Sequence, residues 1–148
     1  MKIKKAGIED LKTVSMLFDQ YRQFYEQQPD PEKAEEFLSE RILKNESVIF
    51  IAMDEKTESG TGFVQLYPSF SSVSMKRLWI LNDLFVCKEF RRTGTAEALI
   101  KETRKFAEQT DAKGLVLETH SENIQAQKLY DKTGFKKDKE HYYYFLGI

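Results

Sequence analysis

Residues Lys76 to Cys87 read KRLWILNDLFVC. A run this apolar on both of its alternating faces must be covered from two sides, so it reads as a long central strand. The rest of the chain therefore has to supply flanking strands and covering helices.

Lys2 to Lys5 is a short edge-strand candidate ahead of Gly7. From Ile8, apolar residues at Leu11, Val14, Leu17, Phe18, Tyr21 and Tyr25 recur in steps of three and four, predicting a helix that ends near Gln28. PDPEKAEEFLSERIL restarts with Pro31 in a first-turn position and acidic residues behind it, predicting a second helix to Leu43 or Lys44. SVIFIAMD (47–54) and GFVQLYPSF (62–70), separated by the turn residues EKTESGTG, read as a hairpin. Beyond the central strand, Ala96, Leu99, Ile100, Thr103, Phe106 and Ala107 have helical spacing, and GLVLETH (Gly114 to His120) reads as a buried strand. NIQAQKLYDKTGF reads as a helix closed by Gly134. The tail HYYYFLGI is expected as the last strand, with one or two of the Tyr142 to Tyr144 rings buried in the sheet or in a subunit contact. Together these segments predict one α/β domain over residues 1–148, a mixed sheet covered by helices.

With 23 basic and 24 acidic residues, the net charge of −1 disfavours nucleic acid as a partner. Cys87 is the single cysteine, and His120 and His141 are the two histidines, so neither a disulfide framework nor a cysteine-rich zinc site can be built, and no metal is expected. The start MKIKKAGIEDL leads into no apolar stretch of signal-peptide length, and LWIL is stopped by Asn82 and Asp83. A cytoplasmic protein without a membrane partner is expected.

FRRTGTAEALI (Phe90 to Ile100) sets two arginines and a lone glycine directly ahead of a helix. A helix start has unpaired N–H groups and a partial positive charge, an end that arginine normally avoids. An anion held there, phosphate above all, resolves the conflict, and Gly94 lets it approach the backbone. Neither a G-x-G-x-x-G fingerprint nor a P-loop is present, which removes support for nicotinamide and nucleoside triphosphates. An exposed basic turn remains the structural alternative.

LNDLFVCKEFRRTGTAEALI resembles the coenzyme A signature of the GNAT superfamily of N-acyltransferases, Arg/Gln-x-x-Gly-x-Gly/Ala, here Arg91-Arg92-Thr93-Gly94-Thr95-Ala96. ENIQAQKLYDKTGF resembles the next segment of that family, and the element order agrees over almost the whole chain. The resemblance implies a mostly antiparallel sheet whose fourth strand bulges and splays from the fifth. The pantetheine arm of acetyl-CoA then lies in the opening. It implies that the main chain of Leu84, Phe85 and Val86 pairs with the pantetheine amides, and that Arg91, Arg92, Thr93, Gly94, Thr95, Ala96 and Glu97 surround the pyrophosphate. Asn123 and Ala126 match positions that meet the arm from the other side, and Tyr130 matches the residue beside the sulfur. The sequence departs from the family at Arg92, where many relatives have glycine, and at Asn82, where polyamine-type relatives carry glutamate.

Acetyl transfer to an amine requires a proton acceptor, a stabilised oxyanion and a stabilised thiolate. Tyr130 is the candidate acid for the thiolate, with a buried structural tyrosine as the alternative. Asp83, then Glu118, then His120 are candidates for receiving the amine and its proton, and each also has a reading as a bulge cap, a surface ion-pair member or a loop residue. Asn82 stands beside Asp83 on the same acceptor side. Tyr25 is a candidate wall of the acceptor cleft, or else part of a core stripe. Cys87 is the weakest nucleophile candidate, having no histidine near it in sequence. The expectation is an acetyl-CoA-dependent N-acetyltransferase acting on a small polyamine-like or amino-acid-like amine in a ternary complex, as a homodimer. The alternatives are a protein lysine or N-terminal acetyltransferase and a non-catalytic acyl-CoA sensor.

Overall fold

The computed structural model describes residues 1–148, which fall into two compact units, Met1–Glu118 and Thr119–Ile148. In the first, β1 (Lys2–Lys5), α1 (Leu11–Phe24), α2 (Pro31–Leu43), β2 (Val48–Met53), β3 (Gly60–Ser71), β4 (Lys76–Val86), α3 (Thr95–Gln109) and β5 (Leu115–Val116) follow in order. The strands form one sheet in that same order, antiparallel from β1 to β4 and parallel between β4 and β5. The Ser-rich segment between β3 and β4 is the turn of a long hairpin.

Helix ends follow local chemistry. Residues Ile8–Asp10 form a 3-10 turn before α1, and the Asp10 carboxylate accepts from the Gly7 N–H at 3.1 Å and from Lys4 Nζ at 2.5 Å. α1 stops at Phe24, short of the expected Gln28. Glu26 takes a left-handed φ of 61°, and the N–H groups of Glu26 and Gln27 donate back to the carbonyls of Gln23 and Arg22. That closure is one a glycine usually makes, so nothing in the residue types announced it. α2 starts on Pro31, with the Asp30 carboxylate accepting from the Lys33 N–H at 3.1 Å.

One face of the sheet packs under α1 and α2 through Val14, Leu17, Leu38, Ile49, Ile51, Phe63 and Phe85. The other face meets α3: the Phe106 ring lies 5.0 Å from Trp79 and 5.6 Å from Phe50, and Trp79 Nε1 donates to Thr110 Oγ1 at 2.9 Å. Burying Trp79 and Phe106 this way contributes a few kcal/mol each, on the order of 25 cal/mol per Å² of apolar surface.

Two irregularities shape β4. Leu66 lies opposite Leu81, but Gln65 lies opposite Asp83, so Asn82 is an extra residue, a β-bulge. Gln65 and Leu66 are neighbours on opposite faces of β3, which puts their partners on opposite faces as well. The bulge thus turns Asp83 and Phe85 onto the α1/α2 side, whereas Trp79 and Leu81 stay on the α3 side. Secondly, β5 pairs with β4 at Trp79 and Ile80 alone, so within this unit β4 runs on from Leu81 to Val86 without a strand on that side. This is the expected splay.

In the second unit, α4 (Ile124–Lys132) is capped by Asn123, whose Oδ1 accepts from the Ala126 N–H at 3.2 Å. Gly134, at φ 96°, ends it: the N–H groups of Phe135 and Gly134 donate to the carbonyls of Tyr130 and Asp131, and the Phe135 ring stands 5.6 Å from that of Tyr130. Two expectations are corrected. The strand expected over Gly114 to His120 is confined to Leu115–Val116, and the tail forms no strand in its own unit, where Tyr142, Tyr143 and Tyr144 are exposed. A strand needs a ladder partner, and this unit contains no other strand to provide one.

Candidate functional site

The bulge creates a polar island in the apolar α1/α2 face. Asp83 is 4% exposed, with Oδ2 accepting from Gln65 Nε2 at 2.7 Å and Oδ1 from Asn82 Nδ2 at 3.1 Å. Both oxygens are held by neutral amides. Gln65 is fully buried. Its Nε2 also donates to Tyr67 Oη at 3.2 Å, and its Oε1 has no partner. Burial, reinforced by the charge of Asp83 and opposed by that of Arg41, pushes the Tyr67 hydroxyl up to about 12. Aromatic rings adjoin the island: Tyr21 of α1 stands edge-on to Phe63 at 5.9 Å, to Phe85 at 6.4 Å and to Tyr25 at 5.0 Å.

Of the three candidates for meeting an amine, only Asp83 belongs to this cluster. Glu118 is an exposed side chain at the end of the first unit and takes no part in these bonds. His120 is exposed in the second unit, where its Nδ1 accepts from the Glu122 N–H at 3.3 Å. Asn82 is exposed at the crest of the bulge, and Tyr25 closes α1 half exposed. Cys87 is half-buried with its thiol pushed up by burial, and its Sγ lies 3.6 Å from Gln20 Oε1, the environment of an inert thiol.

Gln65 and Tyr67 are not among the site residues expected from the sequence. The signal was there in GFVQLYPSF, where Phe63, Gln65 and Tyr67 share one face and the glutamine breaks an apolar stripe. What it lacked was the register that sets Gln65 opposite Asp83.

Ahead of α3 the chain forms an open cradle. Arg92 and Gly94 both take left-handed backbone, with φ of 62° and 86°. Arginine thus occupies a conformation that glycine adopts freely, at a modest steric cost. A Cβ built on Gly94 would meet nothing within 4 Å, so the space in front of the loop is free. The first helical bond runs from the Ala98 N–H to the Gly94 carbonyl at 3.0 Å, and no side chain caps the helix. The N–H groups of Thr95 and Ala96 therefore have no carbonyl inside the helix to bond. Thr93 Oγ1 ties the loop to the Phe90 carbonyl at 2.6 Å and to Thr95 Oγ1 at 2.8 Å. Arg91 turns to the protein: its Nε donates to the Val86 carbonyl at 3.0 Å, and its guanidinium lies 5.3 Å from the Phe24 ring centre. Leu84, Phe85 and Val86 lie on the part of β4 that β5 leaves unpaired.

In the second unit, Asn123 and Tyr130 lie seven residues apart on α4, two turns along nearly one face, with Ala126 between them. Tyr130 and Leu129 are both half-buried. No group of three or more His, Cys, Asp or Glu side chains is arranged to hold a metal ion, and no helix is long and apolar enough to cross a membrane.

The sequence pattern of the acetyltransferase (GNAT) family matches residues 13–135. An uncharacterized N-acetyltransferase of Bacillus subtilis (strain 168), YhfO, is 43% identical over 148 residues, covering all of this chain and 98% of its own. A probable acetyltransferase of Haemophilus influenzae is 34% identical over all of this chain and 99% of its own. The crystal structure of a probable acetyltransferase superposes with a TM-score of 0.95 at 41% identity, over 100% of this chain and 98% of that one.

Proposed function

The chain belongs to the GNAT family of acetyltransferases and is an acetyl-CoA-dependent N-acetyltransferase, and from that premise we propose that its acceptor is the primary amine of a small cationic molecule, polyamine-like or amino-acid-like. The observation that carries this reading is Asp83: a carboxylate turned by a bulge onto an aromatic-lined face, buried, and held by neutral amides. A buried charge is costly unless it is compensated, and an ammonium ion supplies the missing positive charge. The adjoining rings suit the same guest.

Acetyl-CoA brings an activated acetyl group on a good leaving thiolate. The cradle fits its pyrophosphate, because Gly94 leaves the approach open and the helix N-terminus is uncapped. In this proposal Arg92, Thr93, Gly94, Thr95, Ala96 and Glu97 hold the diphosphate, with Arg91 bracing the loop from behind. The main chain of Leu84, Phe85 and Val86 takes the pantetheine, as Asn123 and Ala126 do from α4. Asp83 holds the ammonium and accepts one of its protons at a carboxylate oxygen, so the acceptor attacks directly in a ternary complex. The Tyr130 hydroxyl donates to the departing thiolate. Support for these last roles comes from the family motif Leu129-Tyr130 and from a phenol half-buried on α4. The family match crosses the boundary between the two units, which supports one acyltransferase domain over residues 1–148. The exposed aromatic tail supports a homodimer, to be checked by sedimentation.

The test is thiol release from acetyl-CoA across a panel of diamines, amino acids, anionic amines and a lysine-containing peptide. Diamines and cationic amines are expected to turn over fastest. Faster turnover of anionic acceptors would overturn the reading, a preference for the peptide would point to a protein substrate, and binding without thiol release would identify a sensor.

A further inference from the structure

We infer that Gln65 is a positioning residue that fixes the Asp83 carboxylate for the acceptor amine, an assignment that rests on the acceptor reading above. Gln65 sits directly opposite Asp83 in the β3–β4 ladder and is fully buried. Its amide nitrogen spends one N–H on Asp83 Oδ2 at 2.7 Å and directs the other to Tyr67 Oη at 3.2 Å, while its carbonyl oxygen is buried without a partner. Turning the amide over would press that oxygen against the carboxylate, so the bond to Asp83 dictates the orientation.

An unsatisfied buried acceptor lowers stability, and a methionine or leucine would fill the same row beside Ile49 without one. The sheet nevertheless retains the glutamine where packing alone does not call for it. Retained costs of this kind are characteristic of sites with a task beyond folding. The task follows from the bonds. A carboxylate has about four lone-pair positions. Asn82 occupies one on Oδ1 and Gln65 one on Oδ2, which stops the group from rotating and fixes the directions in which the remaining positions accept N–H donors. Tyr67 stands behind the amide and keeps it from swinging away. Without Gln65 the charge would remain and its aim would be lost.

The experiment compares Gln65→Met, Tyr67→Phe and Asp83→Asn with the unaltered enzyme, measuring kcat and both KM values with acetyl-CoA and the best alkyl diamine of the panel. Gln65→Met is expected to lower kcat/KM for the diamine by about fivefold or more while the KM for acetyl-CoA stays within about twofold. Tyr67→Phe, which leaves Gln65 in place and removes the oxygen behind it, is expected to give the same split at smaller size, and it carries the test if Gln65→Met does not fold. A loss below about fivefold in Gln65→Met, or a parallel rise in both KM values, would overturn the assignment, provided Asp83→Asn is impaired. Full activity of Asp83→Asn would instead overturn the acceptor reading itself.

Discussion

β4 is two strands in one. From Lys76 to Leu81 it has β3 on one side and, at Trp79 and Ile80, β5 on the other, and Trp79 is locked to Phe106 and Thr110. From Asp83 to Val86 it keeps β3 alone, carries a buried carboxylate and leaves its other edge unpaired by β5. Between them stands one surplus residue, Asn82. The difference teaches that a single bulge can convert a stretch that holds the sheet together into one that offers both a charge and an open main chain.

Removing the boundary gives the largest effect. Deleting Asn82 restores simple alternation with Asp83 still opposite Gln65, but it takes away the bend in β4 and the amide that holds Asp83 Oδ1. Acetyl transfer should fall by roughly 10²-fold or more while urea unfolding stays cooperative. Undiminished transfer by a folded deletion variant would mean that the bulge does not shape the site.

Each half can then be damaged separately. Trp79→Ala is expected to destabilise by about 3–5 kcal/mol through the cavity left against Phe106, with acetyl-CoA affinity per folded molecule little changed. Calorimetry beside a binding isotherm checks this. In contrast, Asp83→Asn should leave the melting temperature nearly in place and lower kcat/KM for a diamine by roughly 10²-fold, since the amide keeps the shape and loses the charge. Tyr130→Phe should lower turnover with saturating acceptor by a similar roughly 10²-fold, with acetyl-CoA affinity retained.

The smallest effect is a titration. The Tyr67 hydroxyl is raised from 10.0 to about 12, by burial first and by Asp83 second. The folded state therefore binds that proton more tightly than the unfolded chain does. The resulting stabilisation is complete below pH 10 and is lost as the pH climbs through about 12. Spectrophotometric titration should show the Tyr67 phenol ionising near 12, and Asp83→Asn should bring its midpoint down.

How much of this the sequence disclosed depends on whether the cause was local. The long strand, the interruption at Asn82 and Asp83, the Pro31 helix start and the Gly134 stop were all legible, because each is written in neighbouring residues. The end of α1 was not, since Glu26 adopts a glycine-like turn that its side chain does not advertise. Gln65 was not recognised as part of the site because its meaning depends on a partner eighteen residues away, at a register that the bulge shifts. The shortness of β5 was hidden for the same reason: GLVLETH is a good strand in itself, and its extent was decided by the strand beside it.

The chain contains one tryptophan, and it sits on the structural side of the bulge. Trp79 is 5% exposed, with its indole N–H bonded to Thr110 and its ring against Phe106. Its emission will therefore be blue in the native protein and shift red on melting, with no other indole to blur the signal. It will stay nearly silent as an amine arrives at Asp83 on the opposite face. The molecule thus contains a built-in optical gauge of folding that is almost blind to turnover, and variants of the acceptor site can be sorted by light alone into those that unfold and those that merely stop working.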